Sequence, residues 1–431
     1  MDWKEYYKSR IVSAEEAASH IKSGDRIGMV HATGAPERIL AAMTARHEQL
    51  RDVEIMHGLS YAKAQFLDYP ESFYSNSMFT GPNYRKAMNK GHGYIVPRHF
   101  SLIPRQHRYL GVDVSTILVS PPNENGYVNF GCNIDNMRSL IENAKLVVAE
   151  VNPKVPIMFG ETWAHVTEID YFVESDDELI AVPQGRPGET EKAIASHVAE
   201  YIKDGDCLQL GIGGVPDAIM GYLVDKNDLG IHSEMISDGV MKLTKSGNIN
   251  GKRKNFYPNK ICWSFAGGTK ECYEWMNMNP MLVGMEIEYL NNPYVIGLND
   301  NMVSINGGVC CDLLGQICSD SMPGRWISGA GGQNDFVVGA ARSKGGRSFI
   351  VMPATAQDGK VSRINVNVNL EGYPVMNSQY DVDMVATEYG VAKLKGKHYS
   401  YRRDALIAIA APQFRDQLRE ESKQINKFVK L

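Results

Sequence analysis

The stretch Ile202-Lys203-Asp204-Gly205-Asp206-Cys207-Leu208-Gln209-Leu210 and the turn that follows it decide the fold of this chain. Its first five residues repeat an earlier pentapeptide, Ile21-Lys22-Ser23-Gly24-Asp25. In both copies a helix-like run precedes the motif, and an apolar strand, a tight turn and a proline follow it. The prolines, in Thr33-Gly34-Ala35-Pro36 and Gly213-Gly214-Val215-Pro216, suit the first position of a helix, because the N–H that proline lacks would be unpaired there. The shared order of elements predicts an internal duplication.

Helix–strand–turn–helix is the unit from which open, mainly parallel α/β sheets are built. We therefore expect an α/β protein made of two similar open, mainly parallel-sheet domains. The predicted strands are residues 25–30, 53–56, 116–120 and 145–151 in the first half, and residues 206–211, 281–286, 294–297 and 347–352 in the second. A last helix is predicted over residues 402–424, where an apolar start gives way to charged residues.

A linker is predicted between the two halves. With 431 residues, the chain is too long for one domain of ~100–200 residues. The segment Ala181-Val182-Pro183-Gln184-Gly185-Arg186-Pro187-Gly188 holds two prolines and two glycines, which is typical of a linker. The predicted domains are residues 1–188 and 189–431, and the second carries the candidate catalytic residue described below.

Composition excludes several classes of protein. The 45 basic and 50 acidic residues give a net charge of −5, which does not favour binding to nucleic acid. The N-terminus lacks the apolar core of a secretory signal, and no apolar run approaches the ~20 residues of a membrane span. We expect a soluble cytoplasmic protein. The seven cysteines and eleven histidines form no metal-binding motif, so no metal site is predicted.

Two elements of the second half carry the candidate chemistry. The turn Gly211-Ile212-Gly213-Gly214-Val215-Pro216 stands between an apolar strand and a helix, so its backbone N–H groups should be free to hold an anion. Glu234 follows in Ile231-His232-Ser233-Glu234-Met235-Ile236, an apolar neighbourhood in which a carboxylate that only packed would be costly. Oxyanion donors and one placed carboxylate predict acyl transfer through a covalent intermediate.

Spacing alone leaves other classes open. Gly211 and Gly213 form two-thirds of a dinucleotide fingerprint, and Glu234 lies close to the position of a ribose-binding acid. A nicotinamide-dependent oxidoreductase is therefore an alternative, and a non-catalytic CoA- or nucleotide-binding protein is a more distant one. A second glycine cluster, Ser328-Gly329-Ala330-Gly331-Gly332-Gln333, weakens the first alternative, because it also lets backbone approach a ligand closely.

A series of motifs closely resembles the acetyl-CoA hydrolase/transferase family. In the second half they are GIGGVPDAI from Gly211, HSEMISDG from His232, GAGGQNDF from Gly329, PATAQDGKVSRI from Pro353, TEYGVAKLKG from Thr387 and ALIAIAAPQFR from Ala405. In the first half, VSPPNENGYVNFG from Val119 is similar too. The resemblance spans nearly the whole chain, which within this family looks most like the 4-hydroxybutyrate and butyryl CoA-transferases.

The resemblance implies a role for each motif residue. Glu234 would be the nucleophile that becomes a glutamyl-CoA thioester. The N–H groups of Val215 and Gly332 would form the oxyanion hole, with Gly331 as the alternative second donor. The implied CoA-contacting residues are Gly211, Ile212, Gly213, Gly214, Val215, Gly331, Gly332 and, where family spacing varies, Lys344. CoA is implied as a substrate, with no tightly bound cofactor, and a homodimer is expected.

The implied reaction is ping-pong transfer of CoA between short-chain carboxylic acids, such as 4-hydroxybutyryl-CoA or butyryl-CoA with acetate. An acyl-CoA hydrolase on the same scaffold is the alternative, and it differs only in whether water reaches the intermediate. The preferred acyl group stays open. So do the roles of His31, of Glu124 and of residues 242–260, which hold six basic residues and no acidic one.

Overall fold

A computed structural model describes residues 2–182, 184–211, 213–369 and 372–423. Its contacts divide the chain into two compact units. Unit 1 consists of Met1–Pro183, Glu234–Asp238 and Cys262–Leu290, and unit 2 of Gln184–Ser233, Gly239–Ile261 and Asn291–Leu431. This division differs from the predicted one, since the first break falls at residue 183 and two segments of the second half pack with the first.

The first 183 residues contribute a seven-stranded sheet to unit 1. The helices are α1 (Trp3–Lys8), α2 (Ala14–Ser19), α3 (Glu37–Ala45), α4 (Pro82–Met88), α5 (Ile103–Leu110) and α6 (Met137–Asn143). The strands are β1 (Arg26–Met29), β2 (Val53–His57), β3 (Phe73–Ser77), β4 (Gly93–Ile95), β5 (Val112–Val119), β6 (Tyr127–Asn129), β7 (Ala144–Val151), β8 (Trp163–His165) and β9 (Tyr171–Glu174). The sheet has the order β4-β3-β2-β1-β5-β7-β9, and every pair is parallel.

Backbone hydrogen bonds explain why residues 262–290 belong with unit 1. The N–H of Ala266 donates to the carbonyl of Cys132 at 2.8 Å, and the N–H of Ile134 donates to the carbonyl of Ser264 at 2.9 Å. Further along, the N–H of Gly284 donates to the carbonyl of Phe159 at 2.8 Å. This pairing joins residues far apart in sequence, and local patterns carry no sign of it.

The rest of the chain continues in the order α7 (Glu189–Ala199), β10 (Cys207–Leu210), α8 (Gly214–Gly221), β11 (Gly230–His232), β12 (Met235–Ile236), α9 (Asp238–Lys245), β13 (Ile261–Trp263), β14 (Phe265–Ala266), α10 (Lys270–Met276), β15 (Leu282–Gly284), α11 (Ile287–Leu290), α12 (Pro293–Ile296), β16 (Met302–Gly307), β17 (Cys310–Asp312), β18 (Ile317–Cys318), β19 (Ser321–Met322), β20 (Arg325–Trp326), α13 (Gln333–Arg342), β21 (Arg347–Val351), β22 (Thr355–Ala356), β23 (Val361–Ser362), β24 (Ile364–Asn365), β25 (Met384–Thr387), β26 (Gly390–Lys393), α14 (Tyr399–Ile409) and α15 (Arg415–Ser422). The sheet of unit 2 includes the order β11-β10-β16-β21-β25-β26. Its strands are parallel up to β25, and β26 is antiparallel.

The two copies of the repeated motif form the same turn. In the first, the N–H of Lys22 donates to the Asp25 carboxylate at 2.7 Å, and Gly24 has a φ of +80°. In the second, the N–H of Lys203 donates to the Asp206 carboxylate at 2.7 Å, and Gly205 has a φ of +84°. Helix, turn, parallel strand and helix follow in the same order as α2, β1, α3 and as α7, β10, α8. The predicted fold class of two similar, mainly parallel α/β halves is confirmed.

Three local predictions are wrong. Residues 294–296 are helical rather than extended and Gly297 caps their helix, because the Asn292 side chain accepts the N–H of Tyr294 at 2.9 Å and starts a turn at Pro293. The final helix is two helices, α14 and α15, interrupted near Pro412, and residue 424 lies outside the described residues. The repeat prolines do not occupy the first helical position, since Pro36 precedes α3 and Pro216 is the third residue of α8. In the described part of the chain, no helix is long and apolar enough to cross a membrane.

Candidate active site

The glycine-rich turn links β10 to α8 within unit 2. Gly213 precedes α8 with a φ of +119° and a ψ of −177°, a backbone conformation open almost only to glycine. The helical ladder begins with the N–H of Asp217, which donates to the carbonyl of Gly213 at 3.0 Å. The N–H groups of Gly214 and Val215 lie before this point, so they have no acceptor within the helix. Ile212, also predicted to contact CoA, lies outside the described residues.

The second glycine cluster begins another helix of unit 2. Gly331 has a φ of +54°, Gly332 is buried, and the carbonyl of Gly332 accepts the N–H of Phe336 at 3.0 Å as α13 begins. α13 leads into β21, which is parallel to β16 and, through it, to β10. A helix that connects parallel strands runs opposite to them, so its first turn lies at their carboxyl ends. Both glycine turns are therefore at the same edge of this sheet.

The chain that carries Glu234 leaves the sheet at that edge too. β11 pairs in parallel with β10, in the register Cys207↔Gly230 and Leu208↔Ile231. One residue beyond β11, the Ser233 hydroxyl donates to the carbonyl of Leu210 at 3.4 Å. This long hydrogen bond connects the neighbour of Glu234 to the residue immediately before the glycine-rich turn.

The backbone of Glu234 is held by hydrogen bonds within unit 1. Its carbonyl accepts the N–H groups of Ser264, at 3.1 Å, and Phe265, at 2.9 Å. The next residues form the parallel β12–β14 ladder, with Met235 opposite Phe265. The Glu234 residue is half-buried, with part of its surface exposed to solvent.

Beside β14, unit 1 holds a buried polar cluster that local sequence motifs do not show. His31 is buried, and its Nδ1 lies 2.7 Å from a carboxylate oxygen of Asp135. The imidazole packs edge-on against Phe265, with ring centroids 4.6 Å apart. The hydroxyl of Thr33 donates to the carbonyl of Ala266 at 3.1 Å. His31, whose role the sequence left open, thus has a fixed buried partner.

In the first copy of the repeat, a carboxylate of the protein itself lies at the first turn of α3, the helix that corresponds to α8. The Glu150 carboxylate, on β7, accepts the N–H of Arg38 at 2.9 Å in the first turn of α3. Glu150 is only 2% exposed, and burial raises the pKa of its carboxyl. β1 and β10 are equivalent strands of the two copies. In each copy two further strands pair in parallel beside this strand, β5 and β7 in the first and β16 and β21 in the second. By the register of these pairs, the position of Glu150 on β7 corresponds to Val351 on β21. The second copy therefore has an apolar side chain where the first has a carboxylate.

Other candidate residues lie elsewhere. Lys344 follows the last turn of α13 at the amino end of β21, opposite the glycine turns, and its ammonium lies 3.9 Å from the Asp300 carboxylate. Its contact with CoA stays a prediction. Glu124 is exposed in a turn closed by the N–H of Asn123, which donates to the carbonyl of Tyr127 at 2.8 Å. Within residues 242–260, Lys254 is buried among backbone carbonyls, so it does not form part of an exposed basic surface.

A cleft of about 410 Å³ opens in unit 1 beyond the ends of β5, β7 and β9. Its apolar wall includes Pro121, Pro156 and Leu179, and its charged residues include Lys154 and Glu178, which form an ion pair at 2.6 Å. None of the residues predicted to bind CoA lines this cleft. This cavity is therefore not formed by the glycine turns or by Glu234.

Burial is the feature that the seven cysteines share. All seven are buried and none forms a disulfide, and burial raises the pKa of both Cys132 and Cys311. Across the described ranges, no group of three or more His, Cys, Asp or Glu side chains is arranged to hold a metal ion.

Comparisons with known proteins agree in both halves of the chain. The family model described as the acetyl-CoA hydrolase/transferase N-terminal domain matches residues 1–183, and that of the C-terminal domain matches residues 268–422.

Similar proteins extend over almost the full length. The chain is 44% identical to the 4-hydroxybutyrate coenzyme A transferase of Clostridium kluyveri, over 98% of this chain and 100% of that protein. It is 35% identical to the butyryl-CoA:acetate CoA-transferase of Anaerostipes caccae, over 98% of each. The crystal structure of 4-hydroxybutyrate CoA-transferase from Porphyromonas gingivalis superposes with a TM-score of 0.83 at 38% identity, covering 98% of this chain and 100% of that one.

Proposed function

Because the chain belongs to the acetyl-CoA hydrolase/transferase family, we propose that it is a CoA-transferase that exchanges CoA between short-chain carboxylic acids. Similar proteins named for 4-hydroxybutyrate and for butyryl-CoA with acetate support this substrate class. We assign the nucleophile to Glu234, and the oxyanion donors to the N–H groups of Val215 and of Gly332 or Gly331.

The hydrogen bond between Ser233 and Leu210 carries this proposal. It draws together the ends of two parallel strands, one leading to Glu234 and the other to the glycine-rich turn. The contrast between the two halves adds support. The first-turn N–H of Arg38 is taken by the Glu150 carboxylate of the same unit, whereas the corresponding strand position of unit 2 is Val351. The strand carboxylate that accepts the first-turn N–H of α3 therefore has no counterpart at the equivalent position beside α8.

The reaction proceeds by attack of a carboxylate that needs no general base, because glutamate is ionised at neutral pH. The Glu234 carboxylate adds to the thioester carbonyl of the acyl-CoA, and the tetrahedral intermediate expels CoA thiolate to leave a mixed anhydride. The thiolate then adds to the glutamyl carbonyl and expels the first carboxylic acid as its anion. What is left is a glutamyl-CoA thioester, which conserves the energy of the original thioester bond.

The second half-reaction reverses these steps with the incoming acid. Its carboxylate adds to the glutamyl carbonyl and expels CoA thiolate, which attacks the new acyl carbonyl to give the second acyl-CoA and free Glu234. Each tetrahedral intermediate carries an oxyanion, and one backbone donor to such an anion contributes about 10²–10³ in rate. Two helix N-termini would supply these donors from backbone that is already fixed before the substrate binds.

An exchange assay tests the function. Purified protein is mixed with butyryl-CoA and isotope-labelled acetate, without a nicotinamide cofactor, and label in the CoA ester is followed together with release of free CoA thiol. A transferase moves label into acetyl-CoA without net thiol release. Thiol release without exchange would identify a hydrolase instead, and neither reaction would refute both. A panel of acceptors that includes 4-hydroxybutyrate and butyrate would then rank the acids.

A further inference from the structure

The Lys254 side chain lies buried in unit 2 between two segments that lead to the proposed nucleophile. Lys254 is only 5% exposed. Its ammonium donates to the carbonyl of Ile231 at 2.8 Å and to the carbonyl of Lys260 at 2.9 Å. Lysine is almost never buried to this degree unless its charge has hydrogen-bonding partners. Here two backbone carbonyls meet that need.

Each of these carbonyls precedes one half of the ladder that fixes Glu234. Ile231 lies in β11, three residues before Glu234, and Lys260 immediately precedes β13, which leads to Ser264 and Phe265. The N–H groups of Ser264 and Phe265 in turn donate to the carbonyl of Glu234. The ammonium therefore hydrogen-bonds to both segments a few residues before each of them reaches the ladder around Glu234.

Gly230 shows how closely the lysine stem lies on β11. A Cβ atom at position 230 would be 2.4 Å from Cγ of Lys254 and 2.8 Å from its Cδ. Any side chain here would displace the lysine. β11 thus accommodates the Lys254 stem across its backbone and offers the next carbonyl to its ammonium.

We propose that Lys254 is a positioning residue that sets the placement of Glu234 through the Ile231 and Lys260 carbonyls. The inference rests on the proposed function of Glu234, on which Lys254 would act through these backbone carbonyls. If the ammonium is removed, the two segments lose their shared donor and Glu234 can shift. A displacement of about 1 Å in a reacting group can cost on the order of 100-fold in rate.

The test compares Lys254→Met, which keeps most of the stem and removes the donors, with Lys252→Met, an exposed lysine of the same loop. Melting temperature, KM for acyl-CoA and the single-turnover rate of CoA attachment to Glu234 are measured for each. We expect Lys254→Met to slow attachment ~10–100-fold with KM within ~3-fold. Lys252→Met should match the wild type, and Lys254→Arg, which keeps donors, should recover part of the rate.

An attachment rate equal to the wild type in folded Lys254→Met, or a loss confined to KM, would overturn the inference. If Lys254→Met does not fold, Gly230→Ala decides, because its methyl group displaces the stem while the ammonium is retained. It should slow attachment likewise, and a wild-type rate would overturn the inference. Failure of the proposed function is distinguishable, since the wild type itself would then show no CoA on Glu234.

Discussion

Gly213→Ala tests whether the geometry of the glycine-rich turn, and not only its presence, supports catalysis. A Cβ atom at this position meets no heavy atom within 4 Å, so the substitution is free of steric clash. Its cost comes from the backbone alone, because alanine strongly disfavours a φ of +119° with a ψ of −177°. Strain of this kind costs about 1–3 kcal/mol.

The chain can relieve that strain by rotating the peptide groups that follow residue 213. Rotation would turn the N–H groups of Gly214 and Val215 away from the ligand. Loss of one oxyanion donor lowers kcat by about 10²–10³, equivalent to about 2.7–4 kcal/mol. We expect kcat for butyryl-CoA and acetate to fall by that factor, with a smaller change in KM.

Gly221→Ala is the matched control. It changes a glycine at the other end of α8, where no heavy atom lies within 4 Å of the added methyl group. Alanine within a helix is favoured over glycine by about 0.5–1 kcal/mol, so this variant should keep its kcat and melt slightly higher. A folded Gly213→Ala enzyme with the kcat of the wild type would refute the role of the turn.

Further substitutions test other parts of the account. Glu234→Asp keeps the charge but withdraws it by one methylene, so kcat should fall about 100-fold, and an unchanged kcat would exclude a tightly placed nucleophile. Glu286→Gln tests pH dependence: burial, followed by neighbouring negative charges, raises the folded-state pKa of Glu286 from 4.5 to about 7. Its contribution to the free energy of unfolding is favourable below pH 4.5 and is lost as pH rises through 7. Denaturant titrations over this range should therefore show the free energy of unfolding of the wild type falling by up to about 3 kcal/mol relative to the variant. A difference that does not change with pH would contradict this. Glu150→Val leaves the partly buried N–H of Arg38 without its acceptor and should lower the free energy of unfolding by about 1–3 kcal/mol, and no loss would argue against its capping role. The seven buried thiols should react with a thiol reagent only slowly until the protein is unfolded, and rapid reaction of the native protein would contradict their burial.

Short-range patterns in the sequence were sufficient to predict that the chain repeats one α/β architecture. A glycine with positive φ followed by an aspartate that accepts an N–H three residues back is a short-range arrangement, so both copies of the motif could be recognised from five residues. At residues 294–297, the β-branched and aromatic residues favoured a strand, but Asn292 and Pro293 began a helix. At Pro412, the missing N–H ended a helix that periodicity had extended.

Hydrogen bonds between residues far apart in the sequence could not be predicted in the same way. Residues 262–290 belong to unit 1 because their backbone groups pair with residues 132, 134 and 159, and no local pattern encodes that choice. His31 and Asp135 are 104 positions apart. Lys254 appeared in the sequence only as one of six basic residues whose role was open, and only the fold shows that it is buried. The candidate nucleophile and glycine turns were accessible from the sequence because their motifs are contiguous.

Mass spectrometry after incubation with acyl-CoA alone is the most direct test of the central claim. We expect an adduct equal in mass to CoA minus water on the peptide that carries Glu234, and we expect a second carboxylic acid to discharge it. Glu234→Gln should lose both the adduct and turnover, because an amide cannot attack the thioester. A wild-type enzyme that exchanges CoA at its normal rate but never carries CoA on Glu234, or a Glu234→Gln variant with an unchanged rate, would contradict the account.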